Sequence, residues 1–296
     1  MKTAKVTCFG EVLWDVAPQG KTPGGAPMNV ALHLQNLGMA SSLISRVGQD
    51  ELGQELLGYI EEKGLSPQYI QRDAQQPTCQ VKVDLSDPTD AKYHFDTPTA
   101  WDYIELGTDN RKLVKSSDVL VFGSLASRRG KATQKSLHAL LDIAEKSVFD
   151  VNFRPPFYTK EFVEKALEQT DVAKVNDEEL GIICQWYGFE GNQGEQLFLL
   201  QERFGLEALC LTRGAEGAWL LERGNLYKQQ GFAVKVQDTI GAGDSFLAAY
   251  ISQWLMGAQP EDRLKYACAV GALVSSLKGA NPQVQPSDIS QLLQKG

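Results

Sequence analysis

The sequence predicts an α/β fold, with a mostly parallel central sheet and helices on both faces. Two observations carry this. Short apolar runs alternate with helical patterns along most of the chain, and several of those runs are apolar on consecutive positions. A strand that is apolar on both sides is covered on both faces, which is the condition of a parallel sheet. The helices between the strands supply the crossovers such a sheet needs.

The elements follow in order. Val6–Phe9, Ser42–Val47, Val119–Phe122, Val148–Val151, Val172–Val175 and Ala208–Thr212 read as strands. Pro27–Leu37, Leu52–Lys63, Lys131–Lys146, Lys160–Gln169, Asn176–Gln185 and Gln193–Phe204 read as helices between them. Gly217–Leu221 and Leu226–Val236 follow short Gly-containing turns and read as antiparallel edge strands. Ala242–Met256, Glu261–Leu277 and Ser287–Leu293 complete a helical last quarter. One segment breaks the alternation. Val81, Val83 and Leu85 share one side of a strand, and Tyr93 and Phe95 repeat the pattern after a turn with Asp87 and Pro88. That is a hairpin apolar on one face, either an ordinary edge hairpin or a flap over a pocket. No repeat, low-complexity tract or linker divides the 296 residues, so a single domain is expected.

Composition excludes several roles. At 43% hydrophobic and 22% charged, the chain has the apolar content for a sizeable core and is not disordered. Lys plus Arg total 29 against 37 for Asp plus Glu, and no dense basic run offers a face to nucleic acid. The longest nearly apolar run, Ala267–Val274, is too short to span a bilayer. Glu11 and Asp15 interrupt the start of the chain where a signal peptide would be apolar. The five cysteines are scattered and show no metal spacing, which suits reduced, buried thiols in a cytoplasmic protein.

Two glycine turns feed helices. In Asp238-Thr239-Ile240-Gly241-Ala242-Gly243-Asp244 the small residues let main-chain N–H groups approach a ligand, and the helix start favours an anion such as a triphosphate. Asp244 in the first turn would repel phosphate unless it has another task, such as taking a proton from an attacking hydroxyl. An N-capping Asp after a Gly turn is the competing reading. The second turn is Gly24-Gly25-Ala26-Pro27-Met28-Asn29, with proline suited to the first helical position. Asn29 offers donors and an acceptor to a polyhydroxy ligand, or caps the turn.

Both segments resemble the two signatures of the PfkB family of carbohydrate kinases, the ribokinase-like superfamily. The first runs from Gly24-Gly25 through Asn29 and Ala31 to Gly38 and Gly48; the second is DTIGAGD with small residues after it. Neither a P-loop nor a dinucleotide fingerprint is present. The resemblance spans essentially the whole chain. It implies a ribokinase-like fold with a small β lid formed by about residues 11–22 and 78–102, closing over the sugar and often forming a homodimer contact. Trp14 and Trp101 would wall the pocket or support the lid, or simply pack in the core.

The resemblance also implies residue roles. Asp244 would be the catalytic base, with the amides of Gly241, Ala242 and Gly243 as the anion hole. Asp15, Gly24, Gly25, Asn29, Gly123 and Arg154, the last from a D-x-N-x-R run at Asp150, would hold the sugar or the phosphates. Asn176 and Glu179 of an N-x-x-E motif would lie near magnesium and the phosphates, although Asn three residues before Glu is also a capping box. Thr212, Gly214, Gly217 and Asn281 would border the nucleotide. Asp238, Ile240, Val274, Leu277 and Gly279 would ligate a monovalent cation, for which potassium suits hard oxygen ligands. The implied substrates are ATP with Mg2+ and a small sugar. GGAPMNVA and the FGS turn look most like fructokinases, so fructose is the first choice, with ribose, 2-keto-3-deoxygluconate or another ketose as alternatives. A sugar- or nucleotide-binding sensor without catalysis is the alternative of another class.

Overall fold

The computed structural model describes residues 3–17, 20–84, 92–128 and 131–295. In chain order its strands are β1 Lys5–Phe9, β2 Leu13–Ala17, β3 Gly20–Gly24, β4 Ala40–Gly48, β5 Ile70–Asp73, β6 Cys79–Asp84, β7 Lys92–Phe95, β8 Val119–Gly123, β9 Ser147–Asp150, β10 Val172–Asn176, β11 Ala208–Thr212, β12 Ala218–Glu222 and β13 Asn225–Gln229. The helices are α1 Ala26–Asn36, α2 Glu51–Glu62, α3 Thr108–Lys115, α4 Lys131–Leu141, α5 Lys160–Glu168, α6 Asp177–Tyr187, α7 Gln193–Phe204, α8 Ala242–Leu255, α9 Pro260–Ser275 and α10 Pro286–Leu293.

Nine strands form one sheet in the order β13-β12-β11-β10-β9-β8-β1-β4-β5. From β5 to β11 all pairings are parallel, and β12 and β13 close one edge antiparallel. The consecutive apolar runs sort by parity onto two cores. Val6, Cys8, Val119, Val121 and Val148 pack with the buried sides of α1, α2, α8 and α9. Phe9, Leu120, Phe122, Phe149 and Val175 pack with α4, α5, α6 and α7 on the other face. A strand whose every residue is apolar serves both layers at once. All five cysteines are buried free thiols.

A second sheet of four strands runs β3-β2-β6-β7. The expected hairpin is its β6–β7 half, with Val81 opposite Phe95. The turn with Leu85, Asp87 and Pro88 lies outside the described residues. The β2–β3 half pairs antiparallel, and β2 joins β6 in parallel.

Some boundaries differ from expectation. The helix expected to reach Lys146 ends at Leu141, and the strand expected to reach Val236 ends at Gln229. Beyond Gln229 the apolar alternation continues without a ladder partner, and Val236 is 56% exposed. The elements β3, β5 and α3 carry little apolar signal, while β2, with Leu13, Trp14, Val16 and Ala17, is an apolar strand that the alternation of the large sheet does not include.

Candidate active site

The strand register sets the stage. Phe9 pairs with Phe122, Gly123 with Asp150, Lys174 with Asp150 and Asn176 with Thr212. The C-terminal ends of β1, β8, β9, β10 and β11 therefore present one row of functional residues. At β1 the chain order reverses, with β4 on one side and β8 on the other. Open parallel sheets bind ligands at such a switch point, beyond the carboxyl ends of the strands.

The helix α8 begins over this row. Its N-cap is Gly241 at φ 77°, and no side chain caps it. A Cβ at Gly241 would run into the Ala280 carbonyl, so both the backbone angle and the space require glycine. First-turn N–H groups lack intrahelical partners and form an anion site when left uncapped. The Ala242 N–H closes the turn onto Thr239 O at 3.3 Å, which leaves the amides on either side of it as the better placed donors.

Asp244 stands in that first turn. Its Oδ2 accepts the Asn29 Nδ2 at 2.7 Å, joining α8 to the start of α1. Burial pushes its carboxyl up to about 6, and the Asp150 carboxylate adds to this. Asn29, Lys174 and Arg154 pull the other way. At neutral pH the group is ionised yet more basic than a solvated aspartate, which suits a general base.

The residues expected on the sugar side gather nearby. Asp15 in β2 lies opposite Thr22 of β3 and beside Val81 of β6. Its carboxyl is pushed up to about 6 by burial and held lower by Arg154. Gly24 lies against this carboxyl, and a Cβ there would occupy its place. Gly25, at φ 116°, lies on the Glu11 carbonyl. Arg154 is exposed, with Nη1 donating to Phe153 O at 3.0 Å. Its charge lowers the carboxyls of Glu11, Asp15 and Asp244 alike.

The N-x-x-E motif is a closed capping box. Asn176 N–H donates to Glu179 Oε2 at 2.9 Å, and Glu179 N–H donates to Asn176 Oδ1 at 2.8 Å. Glu179 Oε1 accepts the Phe153 N–H at 2.9 Å, so backbone groups hold both carboxylate oxygens. The Thr212 hydroxyl donates to Val175 O at 3.4 Å, beside this motif on the sheet edge. Gly214 and Gly217 follow with positive φ, and a Cβ at Gly217 would meet the Gln229 backbone.

The structure brings the expected cation residues together. Asp238 Oδ1 accepts the Ile240 N–H at 3.0 Å, and Oδ2 accepts the Gly279 N–H at 3.1 Å. Ser275 O receives the N–H groups of Gln237 and Asp238, and Val274 O that of Leu277. Asn281, expected at the nucleotide, donates from Nδ2 to Asn29 Oδ1 at 2.7 Å. The tryptophans follow the core reading. Trp14 is buried and donates to Leu52 O, while Arg128 stacks on the fully buried Trp101 at 3.9 Å.

Sequence reasoning missed two buried charged neighbours of Asp244, Lys174 and Glu11, and a buried histidine, His33, on α1. Lys174 is buried in β10 and donates to Asp150 Oδ1 at 2.6 Å. Burial pulls its ammonium down, but the carboxylates of Asp150, Glu179 and Asp244 outweigh this and hold it above its usual range. Its signal was a lone charge inside an apolar strand. Glu11 is 2% exposed, has no partner at Oε2, and is pushed up to about 7 chiefly by burial. Its signal was a carboxylate directly after an apolar strand. His33 has one ring nitrogen 2.9 Å from Ala280 O, and burial lowers its pKa.

A buried carboxylate in the first turn of an uncapped helix, over the switch point of a parallel sheet, is an arrangement suited to group transfer from a phosphorylated donor. The pfkB family carbohydrate kinase model matches residues 2–287, and the chain belongs to that family. It is thus a phosphotransferase with an alcohol acceptor. The fructokinase of Escherichia coli is 28% identical over 94% of this chain and 95% of its own length. A fructokinase with bound ATP from Xylella fastidiosa superposes with a TM-score of 0.85 at 23% identity, covering 98% of each chain. A fructokinase double mutant from Vibrio cholerae O395, in a fructose, ADP and potassium ion bound form, superposes at 0.84 with 24% identity, covering 98% of each chain. Among the described residues no helix is long and apolar enough to cross a membrane.

Proposed function

We propose that the protein transfers the γ-phosphate of ATP to a primary hydroxyl of a small sugar, with fructose as the first choice of acceptor. The observation that carries this is the Asn29–Asp244 contact beside the uncapped start of α8. Asn29 holds Oδ2, which leaves Oδ1 to take the proton from the acceptor hydroxyl. The hydroxyl oxygen then bonds to the γ-phosphorus as the bond to the bridging oxygen breaks, and ADP leaves. The amides around Gly241, Ala242 and Gly243 neutralise charge on the transferring group, and alignment supplies most of the rest. Asp15, Gly24, Gly25 and Gly123 would frame the sugar, with Arg154 swinging from its exposed position toward oxyanions. Asn176, Glu179, Thr212, Gly214 and Gly217 would support the nucleotide from the edge of β10 and β11.

Magnesium would neutralise the ATP phosphates, largely through water. Asp150 Oδ2 is buried without a partner and suits a water of that shell. The oxygens of Asp238, Ile240, Val274, Leu277 and Gly279 would offer hard donors suited to potassium, the ion bound in the Vibrio cholerae fructokinase double mutant. The four-stranded sheet would close over the sugar as a lid and exclude water, and would carry a homodimer contact. A cytoplasmic site of action fits the five unpaired thiols.

The test is ADP release with ATP and a panel of fructose, ribose, 2-keto-3-deoxygluconate and other ketoses. Fructose should turn over fastest, and Asp244→Asn should lower kcat by about 10²–10⁴-fold. Equal turnover by both proteins would remove Asp244 from its role. No turnover by either, with sugar or nucleotide still bound, would favour a sensor.

A further inference from the structure

We infer that Asn281 is a positioning residue for Asp244, acting through the Asn29 amide; the inference rests on the kinase reading above. Three side chains form a chain of donors. Asn281 Nδ2 donates to Asn29 Oδ1 at 2.7 Å, and Asn29 Nδ2 donates to Asp244 Oδ2 at 2.7 Å. Its direction is forced. An ionised carboxylate only accepts, so Asn29 must turn its NH2 toward Asp244. The Asn29 oxygen then faces away, and only a donor can satisfy it. Asn281 supplies that donor.

Asn29 is 5% exposed, so water is a poor substitute for the missing partner. Without Asn281 the amide is free to rotate end for end. Its oxygen would then face the carboxylate of Asp244, exchanging an attraction for a repulsion in a low-dielectric site. The base would lose the contact that fixes one oxygen and leaves the other for the acceptor.

The segment carrying Asn281 is anchored independently of any nucleotide. Gly279 N–H donates to Asp238, a ring nitrogen of His33 meets Ala280 O, and Ala280 packs on Gly241. One short stretch after α9 thus touches the cation segment, the anion hole and the sugar-side helix. The charged groups facing Asp244 are Glu11 after β1, Asp150 of β9, Arg154 beyond β9 and Lys174 of β10. None belongs to the Asn281 segment, so truncating Asn281 to alanine leaves that field in place and isolates the amide, whereas an aspartate there adds a charge to it.

The experiment uses the full chain and four variants: Asn281→Ala, the isosteric Asn281→Asp, Asn29→Ala, and Asn29→Ala with Asn281→Ala. Turnover of the best acceptor, binding of a non-hydrolysable ATP analogue by calorimetry, and thermal unfolding are measured. Asn281→Ala should lower kcat about tenfold, the value of one well-placed hydrogen bond, with analogue affinity within about twofold of wild type. Asn281→Asp should lose more, because a carboxylate there can only accept, drives the Asn29 amide to reverse and adds a second negative charge near Asp244. It preserves volume, so it reports even if the alanine variant folds poorly. In the Asn29→Ala background, Asn281→Ala should cost nothing further. Weakened analogue binding with kcat retained would make Asn281 a nucleotide residue and overturn the inference. Losses that multiply in the double variant would overturn it too. A wild type that phosphorylates no acceptor would instead refute the kinase reading, and the inference with it.

Discussion

The starts of α6 and α8 lie over the same sheet edge and are finished in opposite ways. At α6, Asn176 and Glu179 satisfy each other's backbone N–H groups, and the last Glu179 oxygen goes to Phe153. At α8 the cap is Gly241, which has no side chain to offer. A helix end closed by its own residues is a structural joint. One left open retains its donors and its dipole for a ligand. Both starts are family motifs in the sequence, yet of the two only α8 lacks a side-chain cap, so only there are the amides beside Ala242 left for the anion chemistry proposed above. The difference teaches that a motif's residues must be asked what they are already bonded to.

The largest effect should come from closing the open start. Gly241→Val forces a β-branched residue to φ 77° and drives its Cβ into the Ala280 backbone. The expected loss is about 10²–10³-fold in kcat, the scale of losing one anion-hole donor. Kinetics beside a thermal melt separate this from global unfolding. A valine variant that melts normally and turns over normally would erase the contrast between the two starts.

The sequence made the frame legible and hid the connections. The central strands were legible because each carries apolar residues for two layers, as Val119–Phe122 does. The strand β3 was not, because Gly20–Gly24 is rich in glycine, proline and exposed positions and pairs only within the small sheet. Asp244, the proposed base, and its glycine turn were legible from residue type and order. The partner of Asp244 was not, since Asn29 and Asp244 stand 215 positions apart. Lys174 was hidden for the same reason: its meaning lies in Asp150 and Glu179, which arrive from β9 and α6. Asn281 was assigned by motif position to the nucleotide, and no local pattern reveals that its amide reaches Asn29.

A third start lies between the two extremes and sharpens the contrast. At α1 the cap is Gly25, with no side chain, but the Ala26 N–H points at the Glu11 carboxyl. That carboxyl is lifted to about 7 from an unfolded value of 4.5. The folded state therefore binds more protons between those two values, and stability falls as pH rises through that window. Below the window the two states are equally protonated at this group and the penalty vanishes. Glu11→Gln should remove the penalty, raising stability by roughly 2–3 kcal/mol at pH 8 and by little at pH 4. Denaturant titrations at both pH values decide it. A gain independent of pH, or a loss at pH 8, would show that the carboxylate at this start is wanted ionised, as a cap, and would move α1 to the side of α6.

The smallest effect belongs to the closed start itself. Asn176→Ala removes one acceptor from the α6 cap and should lower stability by about 1 kcal/mol. The Glu179 side chain keeps two of its backbone partners, the N–H groups of residue 176 and Phe153, so the joint loosens without opening. Turnover should therefore fall far less than for Gly241→Val, and the loss should shrink as the assay is cooled away from the melting range. The measurement is a urea titration paired with kcat at two temperatures. A kcat loss matching that of Gly241→Val, with the urea midpoint unmoved, would mean that Asn176 serves the phosphates directly. The closed start would then be as chemical as the open one, and a saturated hydrogen-bond ledger would have failed to separate joint from site.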